Sequence, residues 1–187
     1  MSTADPDREL IARTAAKDRA AMHALFARHN VRVFRFLMGK VRNEATAEEL
    51  TNEVFLDVWR LASRYEGRAA VSTWLLAIAH NKAMSLMRKR SEDELQDEAA
   101  EQLADSSDDP EMSAQKRSKA QVMRDVIDSL SDEHREVIDL VYYHEKSVRE
   151  VSEIIDIPEA TVKTRMHYAR KKLGELMREA GVDRGWP

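Results

Sequence analysis

Between Glu159 and Arg178 stand six lysines and arginines, Lys163, Arg165, Arg170, Lys171, Lys172 and Arg178, against two glutamates, Glu159 and Glu175. Thr161, Thr164, His167 and Tyr168 lie among them. Cations of this kind neutralise phosphates, and hydroxyl and imidazole groups beside them reach base edges. Positioning is supplied by Val162, Met166, Ala169 and Leu173, which recur at i, i+4, i+7 and i+11 and predict one buried helical stripe. Thr164, His167, Tyr168 and Lys171 then fall opposite it. Upstream, Ser147 and Glu150 predict a capping box, and Val148, Val151, Ile154 and Ile155 share one side of a first helix. Asp156 tolerates the left-handed conformation of a tight turn, and Pro158 suits a helix start. The pattern is that of a helix-turn-helix. A major groove ~12 Å wide accepts one helix of ~10–12 Å diameter. An ordinary helical hairpin has the same periodicity, but the excess of cations favours DNA.

The rest of the chain has to support this element. Its 187 residues allow one or two domains. Five glycines and four prolines, with no glycine between Gly67 and Gly174, predict an all-α chain. The absence of cysteine excludes disulfides and thiolate chemistry and suits a reducing cytoplasm. No apolar run approaches the ~20 residues of a membrane helix, so no membrane insertion is expected. The six histidines show no metal-ligand spacing, and no phosphate-binding glycine loop or Ser-His-Asp arrangement is present. We therefore expect no catalytic residues, no metal, no cofactor and no small-molecule substrate.

A formal charge of −4 is unexpected for a DNA binder until it is mapped. Residues 91–113 hold ten acids and no lysine or arginine; elsewhere 24 acids face 30 bases, a net of +6. As a flexible linker, 23 residues average roughly 26 Å and reach at most ~75 Å. That span can hold two DNA readers one to two turns apart, at ~34–36 Å per turn.

Before the linker, Asp5-Pro6-Asp7 predicts a helix start with Leu10, Ile11 and Thr14 on one side. A second helix runs from Asp18 to about Val41, with Leu25, His29, Val33, Phe36 and Leu37 inward. Thr46 and Glu49 predict a capping box that opens a helix to about Ala62, with Leu50, Val54, Val58 and Leu61 on its core side. Residues 63–71 read as a loop. Ser72 or Thr73 then begins a helix through Arg90, with Trp74, Leu75, Ile78 and Ala79 towards the core. Beyond the linker, Val122, Val126, Ile127 and Leu130 mark one helix. Ser131 caps another, on which Val137, Ile138 and Val141 face inward.

These segments together resemble the extracytoplasmic-function (ECF) sigma factors of bacterial RNA polymerase, of the sigma-70 family. The likeness rests on AEELTNEVFLDVW (residues 47–59), STWLLAIAHNKAMSLMRKR (72–90), LSDEHREVIDLVYYHEKSVREVSEII (130–155) and IPEATVKTRMHYARKKL (157–173), in this order. It implies two small helical domains: a region 2 bundle over residues 1–90 and a region 4 helix-turn-helix over 118–181. An acidic linker of 91–117 joins them, and a tail of 182–187 follows.

The resemblance also assigns surfaces. Glu49, Asn52, Glu53, Phe55, Asp57 and Trp59 match positions that dock on the clamp helices of the polymerase β′ subunit. Tyr65, Arg68, Asn81, Lys82, Ser85, Arg88 and Lys89 match the part that opens and reads the −10 element. An amide for base edges, a loop for unstacked bases and cations for phosphate are what such a task requires. Thr161, Lys163, Thr164, Arg165, His167, Tyr168, Arg170 and Lys171 match the −35 reader. The implied partners are core RNA polymerase (β′ clamp helices and β flap), promoter DNA and an anti-sigma factor, in the cytoplasm at the nucleoid. A stand-alone helix-turn-helix regulator is the rival reading.

Overall fold

The computed structural model describes residues 5–98 and 119–179. Among these residues there are eight α-helices and no strand, so the all-α expectation is met. The first four are α1 (Arg8–Ala15), α2 (Arg19–Val41), α3 (Glu44–Leu61) and α4 (Val71–Glu98). The second four are α5 (Lys119–Asp128), α6 (Asp132–Ile138), α7 (Val148–Ile155) and α8 (Glu159–Glu179).

Local chemistry sets most of the boundaries. Asp18 caps α2, accepting from the Ala20 and Ala21 amides at 2.8 and 3.2 Å. Arg42 then takes the left-handed conformation, and Asn43 caps α3 by accepting from the Thr46 amide at 2.9 Å. The helix therefore starts at Glu44, earlier than a Thr46–Glu49 capping box would have it. Asn43 satisfies the orphan donor, which leaves Thr46 inside the first turn. Ser147 and Glu150 do form their capping box, and Asp156 is left-handed at φ 52°. Ser131 occupies the N-cap of α6, but its hydroxyl makes no cap hydrogen bond.

Helix α4 differs most from expectation. It begins at Val71, whose amide donates to Asp5 Oδ2 at 2.6 Å. That cap comes from far upstream, so it has no local signature, and it leaves the Ser72 and Thr73 hydroxyls free for other work. The helix also continues past Arg90 to Glu98, into the segment placed in the acidic linker, where Leu95, Ala99 and Leu103 predict a weak helix near residues 92–104. Residues 99–117, the remainder of that linker, residues 118, 180 and 181 at the edges of the second domain, and the tail of 182–187 lie outside the described residues.

The two sets of helices pack on each other through one continuous core. Helix α4 lies between them, against α2 and α3 on one side and α7 on the other. Val71, Leu75, Leu76, Ala79 and Ala83 are all buried along the arc of α4 that meets these neighbours. Buried polar groups cross the same seam. Glu136 Oε1 of α6 meets Lys40 Nζ of α2 at 2.7 Å and His80 Nδ1 of α4 at 2.9 Å. Between α6 and α7, residues 139–143 form a π-turn, and Glu145 is left-handed at φ 55°. This turn delivers Lys146 to the start of α4. Its Nζ donates to Ser72 Oγ at 2.7 Å, Thr73 Oγ1 at 3.0 Å and Glu150 Oε1 at 3.2 Å.

Candidate nucleic-acid interface

The buried stripe of α8 is the expected one: Val162, Met166, Ala169 and Leu173. It packs on α6 and α7, and because 3.6 residues make a turn, the opposite side must face solvent. Lys163, Thr164, His167, Tyr168 and Lys171 are all exposed there. Tyr168 is 53% exposed and meets the His167 ring edge-on at 5.4 Å. Thr164 Oγ1 donates back to the Ala160 carbonyl at 3.0 Å, which keeps its oxygen available as an acceptor. Thr161 is half-buried. Two of the matched cations stand apart from this face. Arg165 pairs with Glu133 of α6 at 2.8 Å, and Arg170 lines a groove between the two sets of helices.

The residues matched to the −10 reader meet at the start and outer face of α4. The loop before it is pinned rather than loose. Tyr65 donates its hydroxyl to the Ala69 carbonyl at 2.5 Å, and its ring lies 5.3 Å from that of Trp74. Arg8 Nη2 donates to the Gly67 carbonyl at 2.6 Å, where φ is +71° and a glycine is needed. Arg68 is exposed and pairs with its neighbour Glu66 at 2.7 Å. Asn81, Ser85, Arg88 and Lys89 are exposed along the helix. Lys82 is not: it reaches across to α3, meeting Asp57 Oδ2 at 2.9 Å and Glu53 Oε2 at 3.0 Å. Burial would lower its pKa, but these two carboxylates hold it above the ordinary lysine value.

The neighbouring seam is strongly polarised. Burial raises the Glu150 carboxyl, yet hydrogen bonds from Thr73 and Ser147 and the charge of Lys146 bring it down to about 2. Burial likewise works against the Glu136 carboxylate. Its His80 hydrogen bond and the Lys40 ammonium more than offset that and lower its pKa. Both carboxylates are therefore ionised, and each holds α4 to the second set of helices.

On α3 the exposed side carries Glu49 and Asn52, with Glu53 and Asp57 half-buried beside them. Phe55 corrects the sequence expectation. It is 4% exposed and packs edge-on against Phe26 at 4.9 Å, so it supports this face from beneath. Trp59 is half-buried under Lys17, whose Nζ sits 5.0 Å from the ring centroid and donates to the Trp59 carbonyl at 2.7 Å. Sequence reasoning missed Leu56, which is 55% exposed between Asn52 and Arg60. Its signal was available: it is an apolar residue off the Leu50–Val54–Val58–Leu61 stripe.

Among the described residues there is no cluster of histidine or carboxylate side chains arranged to hold a metal ion. Among the same residues, no helix is long and apolar enough to cross a membrane.

Comparison with known proteins agrees with this geometry. The Sigma-70 region 2 family model matches residues 25–92, and the Sigma-70, region 4 model matches residues 126–175. The chain is 35% identical over 162 residues to the ECF RNA polymerase sigma factor SigK of Mycobacterium sp. (strain KMS), covering 84% of this chain and 83% of that one. It is 32% identical over 174 residues to the RNA polymerase sigma factor CarQ of Myxococcus xanthus, covering 91% and 96%. The fold is similar to that of the sigma factor RpoE in its complex with the anti-sigma factor NepR from Bartonella quintana (TM-score 0.67, 24% identity, 87% and 98% covered). It is also similar to CnrH in complex with the cytosolic domain of CnrY (TM-score 0.66, 22% identity, 92% and 97% covered). The chain belongs to the ECF RNA polymerase sigma factors of the sigma-70 family.

Proposed function

We propose that this chain binds core RNA polymerase through the outer face of α3 and directs it to promoters whose −10 and −35 elements it reads with two separate helices. Glu49, Asn52, Glu53, Asp57 and the exposed Leu56 make the docking face, anionic with one apolar contact. The loop of residues 65–69 and the face of α4 with Asn81 and Ser85 take the −10 strand, with Arg68, Lys82, Arg88 and Lys89 on its phosphates. The exposed side of α8 enters the major groove at the −35 element. The phosphodiester chemistry belongs to polymerase, and this chain is not itself an enzyme. It works in the bacterial cytoplasm, at the nucleoid.

The observation that carries this reading is the division of the exposed surface. One chain presents a bare cationic helix for duplex DNA, an amide-bearing helix beside a pinned loop, and a separate acidic face for a protein partner. A stand-alone regulator accounts for the first of these and leaves the other two without a purpose. Its affinity would also have to come from phosphates neutralised by a chain of net charge −4.

Control by an anti-sigma factor belongs to the same reading. The similar structure of RpoE was solved with the anti-sigma factor NepR bound. Here a groove of about 560 Å³ runs between the two sets of helices, lined by Phe36, Met87, Ile127, Ile138, Leu173 and Met177. An inhibitor's apolar helix face fits such a groove. Transcription in vitro with core polymerase tests the proposal. Start sites that appear only when this chain is added support it; indifference to the chain refutes it.

A further inference from the structure

The two faces just assigned are not independent of each other, because Lys82 belongs to both. It follows Asn81 on α4, next to the amide of the −10 reader, yet its ammonium is held by two carboxylates of α3, Glu53 and Asp57. Asp57 is shared further, with Arg60 at 3.6 Å. A cation so paired is poorly placed to attract a phosphate, and the two acids around it repel one. The same pairing mutes the acids towards a cationic protein partner. We propose that Lys82 is a coupling residue: polymerase docking draws Glu53 and Asp57 away, and the released ammonium then takes a phosphate of the −10 strand. The inference rests on the reading of α3 as the docking face and α4 as the −10 reader.

The geometry allows the exchange. The Glu53 side chain is 46% exposed, so a partner reaches it without unfolding either helix. Coupling of this kind is reciprocal: freeing the two acids helps docking, and freeing the lysine helps DNA binding. That reciprocity gives a result which a merely structural tie between α3 and α4 does not. Removing the lysine should improve binding to polymerase, even though it removes a DNA contact.

The test uses the full chain, fluorescently labelled, in two titrations at fixed salt: one with core polymerase, one with a single-stranded thymidine 20-mer. K82A and K82M are expected to tighten core binding about fivefold, at the low end of measured couplings. E53Q/D57N is expected to weaken core binding and to tighten the 20-mer by a similar factor, with a salt slope steeper by about one. Adding K82A to that pair should abolish the gain. Thermal melts of each variant establish that it is folded. Unchanged core affinity in both lysine variants overturns the coupling, as does a DNA gain that survives without Lys82. E49Q and N52A, which touch no part of the bridge, separate the two levels. If they weaken core binding while K82A changes nothing, docking stands and coupling falls. If neither they nor E53Q/D57N alter core binding, the docking reading itself falls.

Discussion

The two helices proposed to read DNA are built on opposite terms. Helix α8 buries one stripe and leaves Lys163, Thr164, His167, Tyr168 and Lys171 exposed. Helix α4 is enclosed on two sides, and several of its polar groups are engaged: Ser72 and Thr73 with Lys146, His80 with Glu136, Lys82 with Glu53 and Asp57. Duplex DNA presents its edges to any helix of suitable shape and charge, so a −35 reader needs only to be offered. Capturing a strand that is being unpaired is a different task, and here one of the cations matched to it, Lys82, is held by internal partners while Asn81, Ser85, Arg88 and Lys89 stand exposed. The difference implies that the first helix is ready in the free chain while the second depends on rearrangement.

The comparison breaks most visibly at Glu136. E136A should destabilise the packed arrangement by about 3 kcal/mol or more, because Lys40 and His80 would then face each other, largely buried, without their shared anion. Thermal melting would read the loss, and hydrogen exchange should show it concentrated on α4 rather than α8. Acid should act on the same seam. Glu150 titrates at about 2 in the folded chain, below its ordinary 4.5. Its stabilisation is therefore complete above about pH 4.5 and disappears as the pH falls towards 2. Glu136 is lowered as well and adds to the effect in the same direction. Small-angle scattering across that window should show expansion, with helix content by circular dichroism outlasting compactness.

Smaller effects sharpen the other half of the comparison. K163A should weaken binding of a −35 duplex by about 1–3 kcal/mol with altered sequence preference if it touches a base, or uniformly with a salt slope lower by about one if it touches phosphate. The free chain should show this loss as clearly as the polymerase complex does. R165A should change the melting behaviour least, by no more than about 1 kcal/mol, because its bridge to Glu133 is a partly exposed surface pair.

How much of this was legible beforehand follows from what each feature depends on. The helix-turn-helix was readable because its signals are local: a capping box, a left-handed Asp156 and a stripe at helical spacing. The start of α3 was misplaced because Asn43 and Thr46 are both competent caps, and only the left-handed Arg42 before Asn43 decides between them. Long-range partners left no such trace. Nothing near Val71 indicates that Asp5 caps α4, and nothing near Asn81 indicates that Lys82 turns to α3. Phe55 was matched to the docking face, and Leu56 passed over, for a related reason. Adjacent apolar residues on a helix point in different directions, and only the position of Phe26 shows which one is inward.

The two proposed readers have to separate when polymerase is engaged. The chain has no cysteine, so E44C and K172C place a single pair of labels on exposed sites of α3 and α8. Their separation should be short and narrowly distributed in the free chain. It should lengthen on adding core polymerase and promoter DNA, enough to place α4 and α8 at elements one to two helical turns apart, ~34–36 Å per turn. A separation that stays unchanged in a transcribing complex would contradict the account.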